Sequence, residues 1–296
     1  MKLEKKRVLV VGMARSGIAA AELLLRHGAI PVLSDMKLEE AFGDQLDSLR
    51  NTACVFRLGE DSVKLLDEAD ILMISPGVPI DAPVVKVAKE KGIPVVGELE
   101  LASSLLNGDM LAISGTNGKT TTTTLLGKIF ENAGRITHVA GNIGYPLSAV
   151  AISAKKEDVT VVEVSSFQLE SVKTFHPHVA ALLNITEDHL NRHHTMEEYI
   201  RVKELIVKNQ TAEDYCILNY EDEVLREFGR HIVPKTVYFS SVRKLDEGIY
   251  LDGDLIVLKT ADEEIPLVHT GELKLLGQHN FENVMAAVAM AYYDGV

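Results

Sequence analysis

The chain has 296 residues, enough for two domains with separate cores, and its 46% hydrophobic and 25% charged content is that of an ordinary globular α/β protein. A net charge of −13 excludes a protein that coats nucleic acid, yet one lysine and one helix dipole can still hold a small phosphorylated ligand. The two cysteines, Cys54 and Cys216, form no metal or disulfide pattern and read as small core residues in a reducing cytoplasm.

Lys5, Lys6 and Arg7 precede an apolar run, as in an export signal, but the run is short and Gly12 and Arg15 interrupt it. Nothing approaches the roughly 20 apolar residues of a membrane span. The expectation is a cytoplasmic protein with neither a membrane nor a nucleic-acid partner. Arg7–Val11 reads as a buried parallel strand, residues 18–26 as a helix and Ile30–Ser34 as a second strand closing on Asp35. That is one βαβ unit of a doubly wound sheet. Gly12 and Gly17 stand at the first and last glycine positions of the dinucleotide fingerprint, but Ala14 holds the middle one. NAD, another nucleotide and a purely structural tight turn all remain open there. Residues 69–75 form another strand, ending in Ser75-Pro76-Gly77, where Gly77 either admits a ligand or makes a rigid turn. A helix at 84–92 and a strand at 94–96 complete a first domain, 1–98.

The second domain, 99–296, is built around Gly115-Thr116-Asn117-Gly118-Lys119-Thr120-Thr121. A short apolar strand enters this turn and a Thr-rich helix leaves it. Backbone amides and the helix N-terminus can cradle a polyphosphate, with Lys119 a mobile cation and Thr120 a hydroxyl for magnesium. Ile113 stands where the usual P-loop pattern has its first glycine, so this is the shorter form of that loop. His138 opens a strand that ends at Gly141-Asn142-Ile143-Gly144, where Asn142 either bonds a ligand or serves the turn. Residues 159–164 are nearly all β-branched, a central strand, and Glu163 interrupts them. A buried carboxylate needs a cation or several donors, and next to a phosphate cradle the obvious cation is magnesium.

His189, His193 and His194 invite zinc, but no cysteine accompanies them and acids flank the loop. His189 alone reads as a group in or beside a magnesium site. Residues 196–210 read as an amphipathic helix carrying Lys203, by itself a solvated charge. Strands follow at Tyr215–Asn219 and 236–239, then a hairpin at 250–258 turning at Asp252-Gly253, and a last helix running to Tyr293.

Taken together, the motifs Gly12 to Gly17, Ser75-Pro76-Gly77, Gly115 to Thr120, Gly141 to Gly144, Glu163-Val164-Ser165-Ser166-Phe167-Gln168-Leu169-Glu170, Thr186-Glu187-Asp188-His189 and Gly277-x-His279-Asn280-x-x-Asn283 resemble the Mur ligase family of ATP-dependent amide-forming enzymes. They lie in the family's order along the whole chain. The first domain, Ser75-Pro76-Gly77 and the Ser165 to Glu170 string point to its D-glutamate-adding branch, in peptidoglycan precursor synthesis.

The resemblance implies a Rossmann-like parallel-sheet domain followed by a P-loop-type α/β ATPase domain, with ATP and Mg2+ as cofactors. It also implies UDP-N-acetylmuramoyl-L-alanine and D-glutamate as substrates, and a monomer. Lys119 and the cradle amides would hold the ATP phosphates, with Asn280 and Asn283 near the adenine. Thr120, Glu163 and His189 would serve magnesium, joined by Lys203, which matches the position that family members carbamylate. Arg15, Ser16, Asp35, Ser75 and Gly77 would hold the UDP part, and Asn142, Ser165 and Gln168 the sugar and alanyl end. Asn191 departs from the acid the family commonly has there.

The family also has a third domain that completes the ATP site and binds D-glutamate, and Val296 falls before it. The expectation is therefore a two-domain fragment with negligible turnover. A sister Mur or folate-type glutamate ligase, an NAD-linked dehydrogenase and an ATP-regulated binding module are the rival readings. The dehydrogenase leaves Lys119, Glu163 and His189 without a purpose.

Overall fold

The computed structural model describes residues 2–274 and 277–296. In chain order the first stretch runs β1 (Arg7–Val11), α1 (Arg15–Arg26), β2 (Ile30–Ser34), a 3-10 stretch Glu39–Leu49, β3 (Val55–Phe56), β4 (Ile71–Ile74), α2 (Pro83–Glu90), β5 (Val95–Gly97) and α3 (Glu98–Ser103). Next come β6 (Asp109–Ser114), α4 (Lys119–Asn132), β7 (Thr137–Gly141), α5 (Leu147–Ala151), β8 (Val159–Glu163), α6 (Ser166–Leu169), β9 (Val179–Leu182), α7 (Leu190–His193) and α8 (Met196–Glu204). The remainder is β10 (Tyr215–Asn219), α9 (Glu223–Phe228), β11 (Lys235–Ser240), β12 (Gly248–Asp252), β13 (Leu255–Lys259), β14 (Glu264–His269) and α10 (Gln278–Tyr293).

The chain forms two compact units. The first holds residues 2–107, Tyr145–Ala154 and Phe167–Phe175; the second holds Gly108–Gly144, Lys155–Ser166 and His176–Val296. The first unit carries a five-stranded, all-parallel sheet in the order β3-β2-β1-β4-β5. Its strands are continuous apolar runs because both faces are covered, with Leu9, Leu33 and Leu72 fully buried. The turn between β1 and α1 is tight: a Cβ on Gly17 would lie 2.0 Å from the Gly12 carbonyl oxygen, so only glycine fits there.

The two segments that return to this unit are held by acids at the start of α3. Glu98 Oε1 accepts the Ser148 N–H at 2.7 Å. Glu100 accepts the N–H groups of Lys173 (2.7 Å), Thr174 and Phe175 and the Thr174 hydroxyl (2.7 Å). Both carboxyls are buried, and burial pushes the Glu98 carboxyl above the usual carboxylate range. Two contiguous domains divided at 98 are therefore not the compact units seen. The boundary expected at 98 falls beside Glu98 and Glu100, which hold later chain segments that sequence proximity does not reveal.

The second unit carries a nine-stranded mixed sheet, β14-β13-β12-β11-β10-β9-β6-β8-β7. It is parallel from β7 through β12 and antiparallel across β12, β13 and β14. One core lies between this sheet and helices α4 and α10, joining Leu111, Ile113, Leu126, Phe130, Val161 and Met285. Helix α10 is apolar nearly all round because it packs on both α4 and the strands. Several boundaries differ from expectation. Helix α1 begins at Arg15, and the helix expected over 196–210 ends at Glu204 and continues only as a 3-10 turn, Leu205–Val207. Among the described residues no helix is long and apolar enough to cross a membrane.

Candidate active site

The phosphate-binding candidate lies at the carboxyl ends of β6, β8 and β9, where open α/β sheets bind ligands. Strand β6 runs between β8 and β9, with Ile113 opposite Glu163 and Ser114 opposite Leu182. The loop after it is pinned to the end of β9: Thr116 N–H donates to the Asn184 carbonyl (2.9 Å). The Asn184 side chain accepts from Asn117 N–H (2.8 Å) and donates to the Asn117 carbonyl (3.1 Å). Gly118 caps α4 with φ +87, and a Cβ there would come within 2.2 Å of Asn283 Oδ1. Left-handed backbone and lack of space together require glycine.

Lys119 folds back over this loop, donating to the carbonyls of Gly115 (2.9 Å) and Thr116 (2.8 Å). Thr120 donates to Glu163 Oε2 at 2.8 Å, and the Asn142 amide donates to Glu163 Oε1 at 2.8 Å. The buried acid that broke the β-branched run is thus satisfied by two neutral donors at the cradle's edge. Thr120 and Glu163 thus meet at the loop that Lys119 covers, and Asn142, which the resemblance put at the sugar and alanyl end, bonds the same acid.

Lys203 is not the solvated helix lysine its own segment suggests. It is 1% exposed, and its Nζ donates to the Gly115 carbonyl at 2.8 Å. Two lysine ammonium groups therefore share one carbonyl oxygen. Burial, then repulsion from Lys119, against attraction to Asp188, pushes the Lys203 ammonium down to about 7. Lys119 is also pushed down by burial, partly offset by Glu163 and Asp188. Crowded cations beside free helix N–H groups suit a polyanion.

His189 sits at the N-cap of α7 with φ 53, its backbone N–H on Asp188 Oδ1 (2.8 Å) and its ring 3.4 Å from Asp188 Oδ2. His193 is buried, its Nε2 2.9 Å from Ser166 Oγ. Among the described residues no group of three or more His, Cys, Asp and Glu side chains could hold a metal. The hydroxyl of Thr120 with the carboxylate of Glu163 is an all-oxygen donor pair of the hardness magnesium takes.

Beside the loop is a cavity of about 310 Å3 lined by Gly118, Leu183, Phe239, His279, Glu282 and Asn283, among others. Asn283 lines it, and Asn280 lies behind, its side-chain oxygen 3.5 Å from Asn283 Nδ2. Phe239 and Glu282 were not singled out in the sequence, whereas His279 was named within the Gly277 to Asn283 motif without a role of its own; only its place inside that motif could have signalled Glu282. Thr121 lies in the first turn of α4 and Ser165 just past β8.

In the first unit a cavity of about 780 Å3 opens at the carboxyl ends of β1, β2 and β4, lined by Gly12, Asp35, Ser62, Gly77, Val78 and neighbouring residues. Asp35 and Gly77, which the resemblance assigned to the UDP part, both line it. Asp35 is partly engaged already, accepting from Met13 N–H (2.8 Å) and Lys37 N–H (3.0 Å). Ser75 donates to the Gly12 carbonyl at 2.6 Å, supporting the turn. Gln168 lies with Ser75 on a separate small cavity, and Arg15 and Ser16 open α1.

The profile of the Mur ligase middle domain matches residues 113–291, and that of the MurD-like N-terminal domain of Mur ligases matches residues 6–97. The chain belongs to the Mur ligase family. The UDP-N-acetylmuramoylalanine–D-glutamate ligase of Alkaliphilus metalliredigens is 45% identical over the whole chain, which covers 66% of that relative. The ligase of the same name from Lachnoclostridium phytofermentans is 47% identical over 97% of the chain, covering 63% of the relative. This member of the family thus spans just under two thirds of the length of such relatives. Among solved structures, the UDP-N-acetylmuramate:L-alanyl-gamma-D-glutamyl-meso-diaminopimelate ligase from Neisseria meningitides shares the fold with TM-score 0.66 at 19% identity, over 99% of this chain and 94% of that one.

Proposed function

We propose that this Mur ligase family chain serves ATP-dependent amide-bond formation, joining D-glutamate to UDP-N-acetylmuramoyl-L-alanine through an acyl phosphate. The observation that carries the reading is the convergence of Lys119, Thr120 and Glu163 on one loop, with Lys203 on the same Gly115 carbonyl. Relatives at 45% and 47% identity bear the name of that D-glutamate ligase. Magnesium, held through Thr120 and Glu163, would supply charge neutralisation between the triphosphate and the substrate carboxylate. Lys119 would exchange its two loop carbonyls for phosphate oxygens, and the amides opening α4 would face the same anion.

In this reaction the alanyl carboxylate takes the terminal phosphoryl group, the amine of D-glutamate attacks the acyl phosphate, and phosphate leaves as the amide forms. The cavity bounded by Gly12, Asp35 and Gly77 would take the UDP part, and the one beside Asn283 the adenine. His189, with Lys203 in carbamylated form, would serve a second magnesium, and Asn142, Ser165 and Gln168 the sugar and alanyl end. The same reading takes a cytoplasmic monomer, which light scattering tests. Isothermal titration with UDP-N-acetylmuramoyl-L-alanine and with MgATP tests the function. Saturable heat is expected from both ligands, and none from NADH. Binding of NADH without the UDP compound would overturn the reading.

A further inference from the structure

We propose that Tyr199 is a positioning residue whose hydroxyl latches Thr116 of the phosphate loop to helix α8. The inference rests on the nucleotide reading of that loop and goes beyond it, because Tyr199 belongs to none of the motifs that carry the family resemblance. Thr195 caps α8 by accepting the Glu198 N–H, which fixes the helix start. Tyr199 and Lys203, four residues apart, then share one face of the helix. Both are 1% exposed, and the Lys203 ammonium lies 4.8 Å from the Tyr199 ring centre. The ring also packs against His193, centroids 5.3 Å apart, and His193 in turn bonds Ser166. The hydroxyl at the end of this ring reaches the phosphate loop.

There it meets Thr116 Oγ1 at 3.1 Å. The Thr116 hydroxyl also accepts the Thr186 N–H at 3.0 Å and lies 3.1 Å from the Thr186 carbonyl oxygen. A hydroxyl has one proton and two acceptor sites. With its proton given to the Thr186 carbonyl, Thr116 accepts once from Thr186 and once from Tyr199, and its capacity is filled. The residue next to Gly115, whose carbonyl both lysines share, is therefore held from two elements, the strand-end segment after β9 and helix α8. Without the latch the loop keeps its strand-side contacts but loses its tie to the helix that carries Lys203. Tyr199 is set to act on nucleotide affinity through loop placement, without touching the ligand.

The test is MgATP titration of the wild type, Tyr199→Phe, Thr116→Val and the double variant, with melting temperature and UDP-N-acetylmuramoyl-L-alanine affinity measured alongside. Tyr199→Phe keeps the ring against Lys203 and His193 and removes only the hydroxyl. It is expected to weaken MgATP binding about fivefold to tenfold, leaving affinity for the UDP compound and the fold intact. In the Thr116→Val background the same change is expected to cost nothing further, since its partner is gone. Wild-type MgATP affinity in Tyr199→Phe, or losses that multiply in the double variant, would overturn the latch while leaving the nucleotide site standing. Absence of MgATP binding by the wild type would overturn the nucleotide reading and the latch with it.

Discussion

Glu100 offers a stringent test of how the first unit is assembled. Its buried carboxylate accepts the N–H groups of Lys173, Thr174 and Phe175 and the Thr174 hydroxyl, tying segment Phe167–Phe175, which carries Gln168, to α3. Replacement by glutamine keeps the shape but turns one acceptor into an NH2 group facing N–H donors. The N–H groups of Lys173 and Phe175 meet Oε2, the Thr174 hydroxyl meets Oε1 and the Thr174 N–H reaches both, so whichever oxygen becomes NH2 faces at least one N–H donor and every remaining bond loses its charged acceptor. A bond to a charged group is worth about 1.5–3 kcal/mol, and four of them are weakened together. The prediction for Glu100→Gln is therefore a loss of roughly 2–4 kcal/mol. For a unit of this size that lowers the first thermal transition by roughly 10 °C. Calorimetry on wild type and variant reads it directly, and a midpoint within about 2 °C of wild type would refute the claim that this acid holds the segment.

Gly17→Ala is predicted to cost about 3 kcal/mol or more, because its Cβ would meet the Gly12 carbonyl oxygen at 2.0 Å, backbone that cannot turn aside. Urea unfolding checks it, and a loss below about 1 kcal/mol would show that the turn yields. Lys203→Met is predicted to stabilise the unliganded protein in a pH-dependent way. The native ammonium titrates near 7 against the usual 10.5, so between those values the unfolded chain binds a proton that the native one has shed. Wild-type stability then rises with pH across this window. The advantage of methionine is greatest below pH 7, with a ceiling of about 5 kcal/mol, and fades toward pH 10.5. Urea unfolding at pH 6 and pH 9.5 measures it, and an equal difference at both values would contradict the burial argument.

What the sequence revealed and what it hid have physical reasons. Strands β1, β2 and β10 fall at the bounds their apolar runs predict, and Glu163 was legible because a carboxylate inside a β-branched run must be satisfied. The hairpin turning at Asp252-Gly253 was equally plain, since the turn residues announce it. Helices α3, α5 and α9 went unread because five or six residues carry too little periodicity. Strand β14 was missed because its residues are largely exposed at the sheet edge. Lys203 and Glu100 were unreadable from their own segments, since what buries each arrives from residues far along the chain. Tyr199 is the same case: nothing in its neighbourhood of sequence points to Thr116, 83 residues earlier.

The central claim is that a magnesium-bound nucleotide tail is held where Lys119 and Thr120 meet Glu163. The most direct measurement is ATP titration of wild type, Lys119→Ala and Glu163→Ala, each with magnesium and with EDTA. Loss of the lysine should weaken binding about tenfold or more in either condition, as expected for bonds to a charged group. Loss of the acid should shrink the difference between magnesium and EDTA. If both variants bind ATP as the wild type does and keep the same response to magnesium, the nucleotide is held elsewhere and the claim fails.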